Sequence, residues 1–326
     1  MTVSAGRGYI GIDIGGTNLR VALVGDDGSI LQRDRRPTGI DLGRESFLEL
    51  LIGMIETMRA AGNAAGIETA AVGMGVPGLI ANSGLVYTSV NLEPLEGVNL
   101  KEVVIAATGL STVVVNDSNA AAFGEQRYGA GRPFASLLML TLGTGVGSGL
   151  ILNRKLWTGI DGVAGEYGHV TVEPEGLLCR CGNQGCLEQY ASATALAKAG
   201  AAAVRRGGGG PLAELPLSDL NTESMAAAAR QGDPLARVLF SEAGRYLGIA
   251  AASAANLLNI EALIIGGGMA ASFDLFAESL VREVRRRAFA IPAERLRILP
   301  AVLGDDAGVL GGVALARELA DSVERG

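Results

Sequence analysis

A duplicated α/β architecture is what this sequence predicts, and three observations lead to it. First, residues 9–14 form a short apolar run that ends in Asp13-Ile14-Gly15-Gly16-Thr17, and the strand pattern resumes over residues 19–24, which reads as a hairpin with a glycine-rich turn. Second, residues 137–142 repeat the arrangement: the run passes through Gly143-Thr144-Gly145-Val146-Gly147-Ser148-Gly149 and resumes over residues 150–152. The two units stand about 130 residues apart, the signature of an internal repeat. Third, 326 residues are ample for one large or two medium domains with a sizeable core.

The elements between these landmarks follow in order. Residues 47–61 have helical periodicity, and residues 70–76 are a β-rich run closed by Pro77-Gly78. Residues 113–115 read as a buried strand ending in Asn116-Asp117-Ser118-Asn119, followed by a helix over 120–128 with Asp117 or Ser118 as its N-cap. Residues 134–153 carry no charge and are long enough to cross a bilayer, but Gly143, Gly145, Gly147 and Gly149 make a poor membrane helix; two buried strands joined by a turn fit better. The chain turns helical from about Ser192, and residues 207–211 form a glycine-rich loop. Asp233-Pro234 starts a helix that runs to about Asn259. A strand over 263–265 ends in Gly266-Gly267-Gly268, and an amphipathic helix near 308–319 closes the chain.

Bulk properties exclude several classes. The net charge is −7, so no basic footprint for nucleic acid is expected, and Arg285-Arg286-Arg287 reads as a solvated helix face. Three clustered cysteines are no disulfide framework, and with no secretory leader they favour a reducing cytoplasm, away from membranes.

All three cysteines lie in Cys179-Arg180-Cys181-Gly182-Asn183-Gln184-Gly185-Cys186, and the single histidine, His169, lies ten positions before the first of them. Three thiolates and an imidazole are the donor set of a structural zinc site. Gly182 and Gly185 let the backbone fold tightly enough for the sulfurs to face one point. Glu166 and Glu188 flank the cluster, and a structural site does not need them; carboxylates beside a metal-held imidazole suit the vicinal hydroxyls of a sugar. Backbone N–H groups in Gly15-Gly16-Thr17 and Gly143-Thr144-Gly145 can cradle phosphate, and two such turns could grip one polyphosphate from both sides. Asp13 would repel phosphate unless Mg²⁺ or its waters lay between them. Asp117, at the carboxyl end of a buried strand, could take a proton from a hydroxyl nucleophile. Two G-x-G-x-x-G matches fail, one overlapping a strand and one interrupted by Pro77, and no Walker motif is present.

Asp13-Ile-Gly-Gly-Thr17, Asn116-Asp117, Leu142-Gly-Thr-Gly-Val-Gly-Ser-Gly149, Glu166-Tyr-Gly-His169, Cys179-x-Cys181-Gly-x-x-Gly-Cys186-x-Glu188 and Gly266-Gly-Gly268 occur in the order seen in the ROK family, which this chain resembles from about residue 9 to about 318. That family contains repressors, uncharacterised reading frames and sugar kinases. The resemblance implies an actin-like (ribonuclease H-like) fold with two α/β domains and an interdomain cleft. Residues 1–117 with the C-terminal helix 305–326 would form a small domain, and residues 118–304 a larger one carrying a zinc loop at 166–188. It implies a sugar kinase using Mg²⁺ and ATP, and for Asp117 the role of general base toward the sugar 6-hydroxyl. Asn91, Asn116, Glu166, His169 and Glu188 would bind sugar hydroxyls, with Gly75 and Gly78 near the same pocket. The turns holding Asp13, Gly15, Gly16, Thr17 and Gly143, Thr144, Gly145 would bind ATP phosphates, and Gly266, Gly267 and Gly268 would lie near the adenosine. Zinc would sit on His169, Cys179, Cys181 and Cys186, and the family's dimers or tetramers would be the assembly.

Glucose is the expected substrate. Glucokinases of the family often carry a Pro-Gly pair and an aromatic residue after the asparagine; here Asn91-Leu92 is followed by Glu93-Pro94-Leu95-Glu96-Gly97-Val98, without an aromatic. N-acetylglucosamine, N-acetylmannosamine, mannose and fructose are therefore the rivals, and the sequence does not fix ATP against polyphosphate as donor. A sugar-responsive regulator would need a DNA-binding helix-turn-helix, for which the eight or so residues before the first strand leave no room. A redox or zinc-handling protein would leave Asp13, Asp117 and the paired turns unexplained.

Overall fold

A computed structural model describes residues 6–208 and 210–325, so Gly209, in the loop expected at 207–211, lies outside the described residues. The first half runs β1 (Gly6–Ile14), β2 (Asn18–Gly25), β3 (Ile30–Pro37), α1 (Arg44–Ala64), β4 (Ile67–Val76), β5 (Leu79–Ile80), β6 (Val86–Thr88), α2 (Leu100–Thr108) and β7 (Ser111–Asn116). The second runs α3 (Asp117–Tyr128), β8 (Leu137–Leu142), β9 (Val146–Leu152), β10 (Lys155–Trp157), α4 (Glu188–Ala191), α5 (Ala193–Arg205), α6 (Thr222–Arg230), α7 (Pro234–Leu258), β11 (Ala262–Gly266), α8 (Phe273–Arg287), α9 (Ala290–Arg295), β12 (Arg297–Pro300) and α10 (Ala307–Glu324).

The duplication reaches well past the two turns. One sheet has the strand order β3-β2-β1-β4-β7 and the other β10-β9-β8-β11-β12. In each, three strands form an antiparallel meander and two more add in parallel beside the first of them. β1 therefore corresponds to β8, and the two glycine turns occupy the same place in their sheets. Residues 134–153, uncharged and long enough to suggest a membrane span, supply β8 and most of its hairpin; among the described residues no helix is long and apolar enough to cross a membrane.

Three elements correct the sequence reading. Asn116, not Asp117 or Ser118, caps α3: its side chain accepts from the N–H groups of Ser118 at 2.9 Å and Asn119 at 3.2 Å, because the helix begins on Asp117 itself, three residues before the expected start. The strand after the second turn begins at Val146 rather than 150, so Gly147 and Gly149 belong to β9. Helix α4 precedes Ser192, which caps α5. Arg286 and Arg287 lie in the last turn of α8, where both pair with Glu283, as a solvated face should.

Helix α10 returns to the first sheet and lies across β1 and β4. A β-carbon on Gly73 of β4 would collide with the Gly312 carbonyl, so the helix rests directly on the strand backbone. α10 also crosses α3, where a β-carbon on Gly124 would strike the Ala307 carbonyl. Around this crossing, Val115, Phe123, Leu137, Met139, Ile264 and Ala314 form a core that draws on both sheets.

Glu125 of α3 secures that junction. It is fully buried, and its carboxylate accepts from the backbone N–H groups of Ala130 at 2.7 Å, Val302 at 2.9 Å and Leu303 at 2.7 Å. Glu125→Ala would strand three donors in the interior and is expected to destabilise the protein by about 3 kcal/mol, with Glu125→Gln costing less. Urea unfolding of the two variants checks this, and equal stability of Glu125→Ala and wild type would refute it.

Candidate active site

A cavity of about 1620 Å³ opens between the two halves. Gly78, Ser89, Asn91 and Asn116 line it from the first half, and Thr144, Gly145, Glu166, His169 and Glu188 from the second. With Cys181, which also lines it, nine of the expected site residues thus share one wall system.

Asp117 stands directly behind this wall, as the first residue of α3. Its Oδ1 accepts from the Ser118 N–H at 2.8 Å and from the Ser118 hydroxyl at 3.4 Å. Desolvation raises its pKa to about 6, the neighbouring charges of Asp13 and Glu166 push in the same direction, and the two bonds from Ser118 oppose them. A carboxylate poised there can exchange a proton near neutral pH. Gly75 lies behind Asp117 rather than on the cavity: a β-carbon on it would sit 2.9 Å from the Ala120 β-carbon and 3.2 Å from the Asp117 Cα. Gly78 holds Asn116, whose Nδ2 donates to the Gly78 carbonyl at 3.0 Å.

The first turn abuts the cavity at Asn91, whose β-carbon would lie 3.2 Å from a β-carbon on Gly16. Its Gly15 N–H is already bonded to the Asn18 carbonyl, and the Thr38 hydroxyl braces the Gly15 carbonyl at 2.7 Å. Gly16 and Thr17 are exposed, and among the described residues their N–H groups have no backbone partner. In the second turn Gly143 donates to the Gly145 carbonyl, while the N–H groups of Thr144 and Gly145 are free among the described residues. The run of glycines divides by task. Gly143–Gly145 form the turn, whereas a side chain on Gly147 would strike the Ser118 and Thr141 hydroxyls, and one on Gly149 would strike Ala122. Those two glycines let α3 settle on β9 and so carry Asp117 to the cavity edge. Gly267 packs against Leu142 at the foot of this turn, and Gly268 faces open space.

Arg20 was not singled out in the sequence. It stands opposite Asp13 across the β1–β2 hairpin and donates to Asp13 Oδ2 at 2.9 Å and to Asp305 at 3.2 Å. Burial raises the Asp13 pKa, and Arg20 works against that rise. The hairpin register was the available signal, since a cross-strand carboxylate and guanidinium pair directly.

Glu166 and His169 lie on a short turn pinned to β9. The Ser148 hydroxyl donates to the Gly165 carbonyl and accepts from the Tyr167 N–H, and the Tyr167 hydroxyl reaches the Ala250 carbonyl at 2.7 Å. Desolvation raises the Glu166 pKa, His169 lowers it and Glu188 raises it. Glu188, expected on the sugar, also accepts from the Val146 N–H at 3.0 Å and so joins the cysteine loop to the second turn.

His169 Nδ1 and the sulfurs of Cys179, Cys181 and Cys186 lie within 4.8 Å of one another. Cys181 and Cys186 Sγ are 3.6 Å apart, and Cys179 Sγ is 3.6 Å from His169 Nδ1. Tetrahedral zinc with bonds of about 2.3 Å to sulfur separates its ligands by about 3.8 Å, so the set fits. Gly182, at φ +92°, makes the reversal between the second and third cysteines. Asn183 donates to Cys186 Sγ at 3.3 Å and Gln189 to Cys179 Sγ at 3.5 Å, a supporting shell the composition alone did not mark. With Nδ1 on the metal side, His169 Nε2 is the nitrogen available to the cavity.

Comparison with known proteins agrees with this geometry. The ROK family profile matches residues 9–319. A glucokinase of Streptomyces coelicolor is 37% identical over 319 residues, covering 95% of this chain and 97% of its own. Among solved structures, the ROK hexokinase of Thermus thermophilus superposes with a TM-score of 0.84 at 30% identity, over 98% of this chain and 100% of the other. A ROK glucokinase of Streptomyces griseus, in complex with glucose and AMPPNP, gives 0.74 at 35%, over 95% and 99%. The duplicated sheets, the paired glycine turns and the cysteine–histidine knuckle are carried by a chain that belongs to the ROK family.

Proposed function

We propose that this protein transfers a phosphoryl group from ATP to the 6-hydroxyl of a hexose, with glucose as the preferred acceptor. The observation that carries the reading is one cavity lined by Asn91, Asn116, the Glu166–His169 turn and the second glycine turn, with Asp117 directly behind its wall and the first glycine turn abutting it at Asn91. The glucokinase relatives support glucose as the acceptor. The cleft would then separate a small domain of residues 1–117 with helix 305–326 from a larger one of residues 118–304.

In this reading Asn91, Asn116, Glu166, His169 and Glu188 hold the sugar hydroxyls, and the tightly placed acceptor oxygen meets Asp117. Asp117 takes the 6-hydroxyl proton as that oxygen attacks the γ-phosphorus in line. The N–H groups of Gly16, Thr17, Thr144 and Gly145 take up charge on the phosphate oxygens. Mg²⁺ fits beside Asp13, whose Oδ1 has no hydrogen-bond partner among the described residues, and when bound it would neutralise charge on the donor phosphates. Zinc fits on His169, Cys179, Cys181 and Cys186 and shapes the sugar loop without touching the reacting atoms. Closure of the cleft excludes water that would otherwise accept the phosphoryl group. A homodimer or homotetramer and a cytoplasmic setting complete the reading, the latter supported by three free cysteines.

A coupled assay with Mg-ATP over hexoses and N-acetylhexosamines, repeated with polyphosphate, tests it. The expected result is the highest kcat/KM with glucose. Preference for N-acetylmannosamine or another rival would reassign the sugar, and no turnover with any acceptor would end the kinase reading.

A further inference from the structure

The cavity extends beyond the sugar residues along α5. That wing is lined by Ala195, Ala199 and Ala202, whose small side chains leave room, and by two cations on the same helical face, Lys198 and Arg206. Neither cation forms a salt bridge or side-chain hydrogen bond among the described residues, although the protein is acidic; Arg180, on the cysteine-loop side of the same cavity, is likewise unpaired among them. The one carboxylate on this wing, Glu242, is paired with Arg245 at 3.0 Å. Lys198 is also the only one of the three lysines on the cavity wall.

The wing begins at the second glycine turn, because the first residue of α5, Ala193, donates its N–H to the Gly143 carbonyl at 2.8 Å. At 1.5 Å per residue Lys198 lies about 8 Å further along the helix, and Arg206 about 12 Å beyond Lys198. Both glycine turns offer amides and threonine hydroxyls but no free cation, since Arg20 is held by Asp13 and Asp305. A phosphate chain carries several negative charges, and its remainder beyond the turn would pass Lys198 first.

We propose that Lys198 binds the phosphate chain of the donor next to the transferred group, and that Arg206 extends the same track for a longer chain. This rests on the kinase reading for its catalytic test and not for its binding test. In calorimetric titrations of the full-length, zinc-loaded protein with inorganic tripolyphosphate and with ADP, Lys198→Gln is expected to weaken binding of at least one of them about tenfold. KM for the corresponding donor should rise by the same factor while KM for glucose stays within about twofold, and the loss should shrink as salt increases. Lys198→Arg should restore most of the affinity, and Lys155→Gln, which removes an equal charge on β10, should change nothing. The donor arms separate two sources of one chemistry: a loss with ATP assigns the track to the nucleotide, and a loss with polyphosphate, deepened by Arg206→Gln, assigns it to the inorganic polymer. Unchanged affinity for both, an equal rise in KM for glucose, or the same effect from Lys155→Gln would overturn the assignment. If the wild type phosphorylated no sugar, the kinase reading would fall while the tripolyphosphate titration still reported on Lys198.

Discussion

Replacing Asp117 with asparagine is expected to lower kcat about a thousandfold, the range of a lost general base, with KM for glucose changed less than about threefold. Asparagine keeps the shape of the side chain and can still accept from the Ser118 N–H, so the substitution removes the proton acceptor and little else. In the wild type, desolvation and the nearby Asp13 and Glu166 charges place the Asp117 pKa at about 6. The base must be ionised to act, so kcat should fall as pH drops through about 6, and this limb should vanish in the variant. The stability effect runs the other way. A carboxyl whose folded pKa exceeds its unfolded value of 3.8 binds its proton more tightly in the folded state. Its contribution to stability is complete below pH 3.8 and is lost as pH rises through about 6. At pH 7 the ionised wild-type group is therefore a burden on the fold, and Asp117→Asn should melt at a higher temperature while being nearly inactive. Steady-state kinetics from pH 5 to 9 with parallel thermal melts would decide it; kcat within about tenfold of wild type would remove Asp117 from the base role.

What the sequence disclosed was whatever repeats or clusters along the chain. The two hairpins with their Gly/Thr turns announced the duplication, and four soft ligands within eighteen residues announced the knuckle. The edge strands stayed hidden because β3 reads Ile-Leu-Gln-Arg-Asp-Arg-Arg-Pro, charged as an exposed edge should be, and β10 has only three residues. Gly147 and Gly149 looked like part of the turn because a glycine that shapes a turn and one that admits a neighbouring helix are identical in sequence. Glu125 and Lys198 were invisible for a different reason. Each is one charged residue on an ordinary helix, and only folding brings three distant N–H groups onto the first and the cavity wall onto the second. The Asp13–Arg20 pair lay between these extremes, legible only to a reader who had already fixed the hairpin register.

Removing zinc, by chelation or by Cys186→Ser, is expected to raise KM for glucose at least 10–100-fold while ADP still binds. The asymmetry follows from what each site rests on. His169 and Glu166 reach the cavity from one short turn, and the knuckle holds His169 by its Nδ1 side; without metal the ring loses the constraint that aims Nε2 at the cavity. Tyr167, Val170 and Leu187 anchor the ends of the loop on the second core, but between Glu173 and Gly185 it has little apolar packing, with Leu177 and Leu178 both exposed, so there the metal stands in for a core. The second glycine turn instead joins β8 to β9 and rests on the core of the second sheet, through Leu142 and Val146, and it should survive. Burial pushes the Cys186 thiol up to about 12 in the metal-free protein, so zinc must displace a proton there, and its affinity should climb with pH across the neutral range. Cobalt or cadmium restored to the apoprotein should bring KM for glucose back to near the zinc value with kcat unchanged, because the ion positions a ligand and polarises no reacting atom. A kcat that instead tracked the Lewis acidity of the substituted metal would place the ion in the chemistry and undo the structural assignment.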